Sequence, residues 1–96
     1  MNTKHVVSTI TFDVAEGKMT DFIQFLKEIH PHVLDWDGIV SYQVIQTSDT
    51  TAVSWVEHES QEALEALGDD YKATMGSFAE FLVSPPSRVV GETIVN

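Results

Sequence analysis

The sequence predicts a single α+β domain in which a four-stranded antiparallel sheet carries its helices on one face. Four segments have the apolar–polar alternation or the β-branched content of strands, at residues 5–14, 39–47, 51–58 and 87–95. A stretch with the apolar spacing of a helix lies between the first and second of these segments, and another lies between the third and fourth. Because 96 residues with 43% hydrophobic content have room for one core, residues 1–96 are expected to form one domain.

The first half of the chain predicts a strand followed by a long helix. Residues 5–14 place one alternating set of side chains on a single face, namely Val6, Ser8, Ile10, Phe12 and Val14. Residues 15–18 form a turn, and residues 1–4 are expected to be a loose end. A helical apolar stripe begins at Met19. Pro31 has no backbone N–H, so we expect it to end or kink this helix near His30, with one further turn before Gly38.

Residues 39–47 and 51–58 predict an antiparallel hairpin, because only the short polar turn of residues 48–50 joins them. In the second strand, Val53, Trp55 and Glu57 share one face. The alternation of a strand puts the remaining side chains on the opposite face, which carries Ala52, Ser54, Val56 and His58.

A broken helix and a closing strand complete the chain. Ser60 is placed as the N-cap of a helix that Gly68 ends, and Asp69 and Asp70 are placed to cap the next one. Pro85 and Pro86 break that second helix before the closing strand. The resulting order, βαββ(αα)β, is that of a ferredoxin-like fold.

The sheet face away from the helices still carries apolar side chains, among them Val53 and Trp55. A face of this kind is too apolar to be left in water. A second copy of the chain is the simplest partner to cover it, so the sequence predicts a homodimer.

The charge balance excludes several classes of partner. Five Lys and Arg against fifteen Asp and Glu give a formal net charge of −10. Because such a charge repels phosphate backbones and anionic lipid, we expect no binding to nucleic acid or membranes. The acidic surface is interpreted as solubilising, although adaptation to a salty cytoplasm would also fit. No segment is long enough to span a membrane and no export signal is seen, so a cytoplasmic protein is expected.

Three segments resemble the antibiotic biosynthesis monooxygenase family of dimeric α+β barrels. They are VVSTITFDVAEGKMTDFIQFLKEI, HPHVLDWDGIVSY and TAVSWVEHESQEAL, and the approach to the last strand, residues 84–90, is also similar. The resemblance implies a ferredoxin-like domain that dimerises into a barrel. It also implies an activity from a family that includes cofactor-free oxygenases of phenolic polyketides, small quinol oxygenases, haem-degrading enzymes and a sugar isomerase.

Residue by residue, the resemblance is partial. The corner Trp of the polyketide oxygenases falls on His58, their nearby Asn on Ser54 and their following Tyr on Leu64. The Trp and His of the haem-degrading members fall on Ala66 and about Met75, so haem degradation is not expected. His30, eight residues before Gly38, falls where the isomerase and several other relatives place a histidine on the first helix.

The predicted catalytic residues are His30 as general base, His58 to orient the substrate oxygen or return the proton, and Ser54 to donate a hydrogen bond to the oxyanion. Each histidine also has a structural interpretation. His30 would complement the dipole of its helix, and His58 would be a solvated residue at the end of a strand.

Three further residues are candidates for substrate binding: Tyr42, Trp55 and Arg88. Tyr42 and Trp55 would shape the pocket wall, or simply fill the core or an interface. Arg88, the only arginine, would anchor an anion or form a surface ion pair.

These residues predict a monooxygenase that acts on a small aromatic molecule, a phenol, quinol or polyketide-like compound, without a cofactor. No metal site is expected, since His30, His32 and His58 lack a carboxylate at a supporting spacing. The alternatives are a small-molecule isomerase, a non-catalytic ligand-binding or stress-response barrel, and a regulatory interaction domain.

Overall fold

The fold is known from a computed structural model that describes residues 4–95; residues 1–3 of the expected loose end lie outside the described residues. The elements follow the predicted order: β1 (Val6–Asp13), α1 (Met19–Leu34), β2 (Ile39–Gln46), β3 (Thr51–His58), α2 (Gln61–Ala66), α3 (Gly68–Ser77), a short 3-10 helix (Ala79–Phe81) and β4 (Ser87–Glu92).

The four strands form one antiparallel sheet in the order β2-β3-β1-β4, which confirms the ferredoxin-like prediction. The central β1–β3 ladder runs from the pair Val6 and His58 to the pair Asp13 and Thr51. β4 ends at Glu92, three residues earlier than predicted. The register explains this difference, because Glu92 already pairs with Val6, the first residue of β1.

The core lies between the sheet and the helices. An aromatic cluster joins β1, α1 and the end of α3, where the rings of Phe12, Phe22 and Phe78 meet edge to face with centroids 5.0 to 5.6 Å apart. All three side chains are buried. Burying a phenylalanine side chain contributes roughly 1.5–3 kcal/mol, so this cluster is a principal support of the sheet–helix packing.

α1 continues through Pro31 to Leu34, so the proline does not end the helix, and the further turn expected before Gly38 is part of it. Val33, in the turn after the proline, is buried against Tyr42 and Val56. This burial stabilises the last turn, and the amide of Asp35 donates to the carbonyl of Pro31, 3.2 Å away. A proline removes one hydrogen bond from a helix, and the packing of Val33 offsets that loss.

The caps of the later helices are only partly as predicted. Ser60 is the N-cap of α2, where its hydroxyl accepts a hydrogen bond from the amide of Ala63 at 3.1 Å. Asp69 and Asp70 do not cap α3; they lie within its first turn, because the helix already begins at Gly68. Their carboxylates still favour the helix N-terminus electrostatically.

A tight turn at Gly38 places the end of β3. Gly38 has a φ of +81°, and a Cβ added there would lie 2.5 Å from the Cβ of Ala63 on α2. The glycine is therefore required both by the backbone conformation and by the approach of α2. Its carbonyl accepts a hydrogen bond from the amide of Glu59 at 2.8 Å, which fixes the residue that follows His58.

The two faces of the sheet differ as the alternation predicts. On the helix side Ala52, Ser54, Val56 and His58 are all buried. The opposite face, called here the outer face, exposes large apolar side chains from three strands: Ile45 at 59%, Trp55 at 49% and Val89 at 67%. Within residues 4–95, none of the helices combines the length and apolar character needed to cross a membrane.

Candidate functional site

A small cavity lies between the sheet and the helices at the end of β3. Its volume is about 30 Å³, which is room for one or two water molecules. Most of its lining is apolar, and the polar side chains on its wall are Ser8, Tyr42, Ser54, His58, Tyr71 and Thr74. Polar groups that converge within an apolar lining are typical of small-molecule sites, but those sites usually measure about 300–1,000 Å³, and this cavity has the size of a water site.

His58 is the titratable group most deeply placed in this cavity, with an exposed fraction of 2%. Its Nε2 lies 3.2 Å from the hydroxyl of Ser8, while its Nδ1 has no hydrogen-bond partner in the described part of the chain. Burial lowers the pKa of His58, and the positive charge of Arg88 lowers this pKa further. The imidazole is therefore neutral at pH 7, and one of its nitrogens is buried without a hydrogen-bond partner in the described residues.

Ser54 adds a second free polar group to the same wall. It lies four residues before His58 on the same face of β3 and has an exposed fraction of 1%. Its hydroxyl has no hydrogen-bond partner among residues 4–95. A buried polar atom without a partner costs about 1–3 kcal/mol, so two of them beside one cavity indicate a site that is completed by a ligand or water.

A polar chain leads from the cavity to the edge of the sheet. Arg88, on β4, donates from Nη2 to the Ser8 hydroxyl at 3.5 Å, and Ser8 in turn contacts His58. The guanidinium carbon of Arg88 also lies 4.1 Å from the centroid of the Tyr71 ring. Stacking on an aromatic ring restricts where the guanidinium can move.

Three of the cavity's polar residues are absent from the predicted site residues: Ser8, Tyr71 and Thr74. Ser8 has a signal in the sequence, as the one polar member of the inward-facing set of β1. Tyr71 and Thr74 lie on α3, whose position over the sheet depends on packing between distant segments.

Tyr42 separates the cavity from a second depression. Its side chain lines both, and burial raises the pKa of its phenol to about 12. The phenol is therefore protonated at neutral pH and can donate a hydrogen bond but not act as a base.

His30 lies in that second depression, an open groove of about 530 Å³ between α1 and β2. Its Nε2 donates to the carbonyl of Tyr42 at 3.0 Å, and the two rings stack with centroids 5.2 Å apart. His30 does not line the cavity that contains His58. The expectation that both histidines act in one pocket is therefore corrected, because Tyr42 lies between them.

The remaining predicted residues lie apart from the cavity lining. Trp55 is on the outer face and does not line the cavity, because its neighbours Ser54 and Val56 occupy the inward positions of β3. Arg88 reaches the cavity only through its contacts to Ser8 and Tyr71. Residues 4–95 hold no group of three His, Asp or Glu side chains placed to bind a metal ion.

Solved structures of low sequence identity share this fold. A protein of unknown function from Nitrosomonas europaea superposes with a TM-score of 0.85 at 15% identity, over 100% of this chain and 95% of the other. A monooxygenase of Streptomyces coelicolor, solved with nanaomycin D, superposes with a TM-score of 0.80 at 18% identity, over 97% of this chain and 90% of the other. SnoaB, a cofactor-independent oxygenase from Streptomyces nogalater, superposes with a TM-score of 0.81 at 9% identity, over 96% of this chain and 95% of the other.

At these identities the likeness shows the fold alone. A comparison with curated proteins finds no significant match. The family model described as antibiotic biosynthesis monooxygenase matches residues 5–69, about two thirds of the chain, and this stretch contains β1, α1, the β2–β3 hairpin and α2. The chain belongs to the antibiotic biosynthesis monooxygenase family.

Proposed function

We propose that the protein is a cofactor-independent monooxygenase of a small aromatic substrate, a phenol, quinol or polyketide-like compound. The observation that carries this proposal is the pairing of two free groups on one cavity wall, the neutral imidazole of His58 and the hydroxyl of Ser54. The two side chains stand four residues, about 13 Å, apart along β3, so they would contact opposite ends of one substrate: the imidazole would remove the phenolic proton and the hydroxyl would bind the oxygen at the far end.

The proposed reaction converts a phenol and dioxygen into a quinone and water. His58 Nδ1 accepts the phenolic proton, and the electron-rich phenolate then reduces dioxygen without a separate cofactor. One oxygen atom replaces the ring hydrogen and becomes a carbonyl, and the other leaves as water with the two hydrogens lost by the substrate. Ser54, about 13 Å further along β3, donates a hydrogen bond to the oxygen at the opposite end of the substrate, where the new carbonyl forms, and the apolar lining excludes bulk water.

We assign the base to His58 rather than His30. His30 already donates its Nε2 proton to a backbone carbonyl and lies in an open groove, where water competes for its other nitrogen. The cavity around His58 is more enclosed and has both free polar atoms. A role for His30 in the groove fits the alternative of a small-molecule isomerase, since the groove has the volume of a ligand site.

Substrate entry requires the cavity to enlarge, since about 30 Å³ is too small for an aromatic ring. The wall formed by Tyr71, Thr74 and Met75 belongs to α3, a helix without a buried residue. The buried side chains of Leu67 and Phe78 anchor its two ends, so we propose that the middle of α3 shifts between them to admit the substrate.

The proposal includes a homodimer formed through the outer face and a location in the cytoplasm. Members of the family are typically dimers. The exposed side chains of Ile45, Trp55 and Val89 give the outer face the apolar character that a self-complementary interface needs.

Oxygen uptake by purified, metal-stripped protein tests the proposal with a panel of quinols and dihydroxynaphthalenes. We expect turnover by the wild type and transfer of one atom of labelled dioxygen to the product. His58→Gln should reduce the rate about 10²–10⁴-fold, the usual contribution of a general base. The matched variant His30→Gln should keep most of the activity. If the wild type consumes no oxygen with any substrate, the isomerase or a non-catalytic binding protein becomes the better hypothesis.

A further inference from the structure

Two of the chain's five cationic side chains line one depression beside the cavity. This depression has a volume of about 340 Å³ and lies between α2, α3 and β4. Arg88 enters it from β4 and Lys72 from α3, while Tyr71 lines both the depression and the cavity. A ligand whose ring enters the cavity after the proposed shift of α3 would therefore have these cations within reach of its substituents.

Arg88 is held in place without an acidic partner. Its guanidinium stacks on Tyr71 and donates one long hydrogen bond to Ser8. No carboxylate lies within ion-pair distance of Arg88 among residues 4–95, in a chain with fifteen Asp and Glu. A guanidinium has five N–H donors in a fixed plane, so most of them remain available for a ligand.

One acidic side chain, Glu65, also lines the depression. Its Oε1 accepts a hydrogen bond from Gln61 Nε2 at 3.2 Å, one turn earlier on α2. The carboxylate is therefore engaged on the surface of its own helix rather than with Arg88 or Lys72. The net charge of −10 acts against anions at long range, but salt screens it beyond about 8 Å. Within the depression, the positive charges of Arg88 and Lys72 therefore favour the binding of an anion.

We propose that Arg88 and Lys72 form an anion site that binds the carboxylate of an aromatic acid whose ring lies in the cavity beside His58. The inference rests on the proposed function and narrows its substrate class to aromatic acids. The planar fork of Arg88 matches the geometry of a carboxylate, and stacking on Tyr71 has already restricted its motion.

The site is coupled to the base through Ser8, which contacts both Arg88 and His58. Arg88 is the charged group that acts on His58 from β4, while the other titratable groups on the cavity wall, Tyr42 and Tyr71, have pKa values raised by burial and stay neutral. Because the charge of Arg88 lowers the pKa of His58, a carboxylate bound to Arg88 raises this pKa. An acidic substrate would thus strengthen the base that deprotonates it.

Naphthoate and naphthamide test the inference, because they share one ring system and differ in charge. Binding is followed by NMR of the histidine ring resonances at fixed ionic strength, with the His58 signal identified by its absence in His58→Gln. We expect naphthoate to bind the wild type at least about tenfold more tightly than naphthamide, as for a charge-assisted bidentate contact. Saturation with naphthoate should raise the pKa of His58, whereas naphthamide should not.

Two variants and a control locate the effect. Arg88→Gln should reduce the preference for naphthoate to the few fold that Lys72 supplies and abolish the naphthoate-induced change in the pKa of His58. Lys72→Gln should weaken naphthoate binding by a few fold, as for a single exposed charge. Lys27→Gln makes the same change on α1, and it should alter neither the affinity for naphthoate nor the effect of naphthoate on the pKa of His58. Equal affinities for the two probes, no naphthoate binding at millimolar concentration, or an Arg88→Gln variant that keeps the full preference would overturn the anion site.

These measurements need neither oxygen nor turnover, so they are independent of the proposed reaction. A naphthoate preference without oxygen uptake would support the anion site and count against the monooxygenase. Oxygen uptake with neutral quinols and no naphthoate preference would support the monooxygenase and overturn the anion site.

Discussion

Ser8 and His58 are diagonal neighbours across the β1–β3 ladder, and the Ser8 hydroxyl lies 3.2 Å from His58 Nε2. The register pairs Val6 with His58 and Ser8 with Val56, which puts both polar side chains on the helix side. When Nε2 carries the proton and donates it to Ser8, the lone pair of Nδ1 is left for the substrate. The strand register thus orients the imidazole that we propose as the base.

The first prediction compares the two buried serines of the site. Ser8→Ala removes the partner of His58 Nε2, so it should lower the free energy of unfolding by about 1–2 kcal/mol. Ser54→Ala removes a hydroxyl that has no partner in the described residues, so the free energy of unfolding of this variant should equal or exceed that of the wild type. Urea unfolding measures both variants. An equal loss of stability in the two variants would contradict the assigned contacts.

The second prediction concerns pH. Burial and Arg88 lower the pKa of His58 in the folded state, so near pH 6 the unfolded chain binds more protons at this residue than the folded chain. The contribution of His58 to stability is therefore full above its unfolded pKa of about 6.5 and falls as the pH drops towards the folded pKa. Urea unfolding should show a larger loss of stability on acidification for the wild type than for His58→Gln.

The same shift sets the pH dependence of activity, the third prediction. A base with a lowered pKa remains unprotonated in mildly acidic solution, so oxygen uptake should reach half its maximum below about pH 6.5. Arg88→Gln removes the positive charge that contributes to this shift, and its half-maximum should lie at higher pH. A half-maximum in Arg88→Gln at or below that of the wild type would show that Arg88 does not act on the base.

Local patterns are sufficient to predict most of the fold. The alternation in residues 51–58 assigns each side chain of β3 to its face, and it correctly places Ser54 and His58 together on the helix side. Ending the helix is one of the two outcomes expected of Pro31, and it does not occur because the burial of Val33 against β2 and β3 is a long-range contact that stabilises the turn after the proline. Propensity near a proline does not include such packing.

The site is only partly predictable for the same reason. Ser8 meets His58 through the register of strands fifty residues apart, and Tyr71 covers the cavity through the docking of α3. His30 and His58 look equivalent in the sequence, as two histidines at the ends of elements. Their separation by Tyr42 depends on how α1 packs against β2, which no local pattern records.

The fourth prediction uses two glycines, Gly17 and Gly38, that share a φ of +81°. The methyl group added by Gly17→Ala has no atom within 4 Å, so this variant should lose only the free energy of the backbone strain, about 1–2 kcal/mol. Gly38→Ala adds a methyl group 2.5 Å from the Cβ of Ala63 and should cost about 1–3 kcal/mol more. Thermal or urea unfolding of both variants isolates the contact between the Gly38 turn and α2. Equal losses would show that α2 moves away freely.

The fifth prediction tests the proposed dimer. Wild-type protein in gel filtration with light scattering should have about twice the formula mass of 10.7 kDa. Trp55→Glu places a charge in the middle of the outer face of both copies, and removing two buried aromatic side chains should weaken association roughly a thousandfold. Leu34→Glu is the matched control, because Leu34 has a similar exposed fraction, 42%, but belongs to α1 on the other side of the sheet. A dimer that survives Trp55→Glu, or a wild-type monomer at micromolar concentration, would show that the outer face is not the interface.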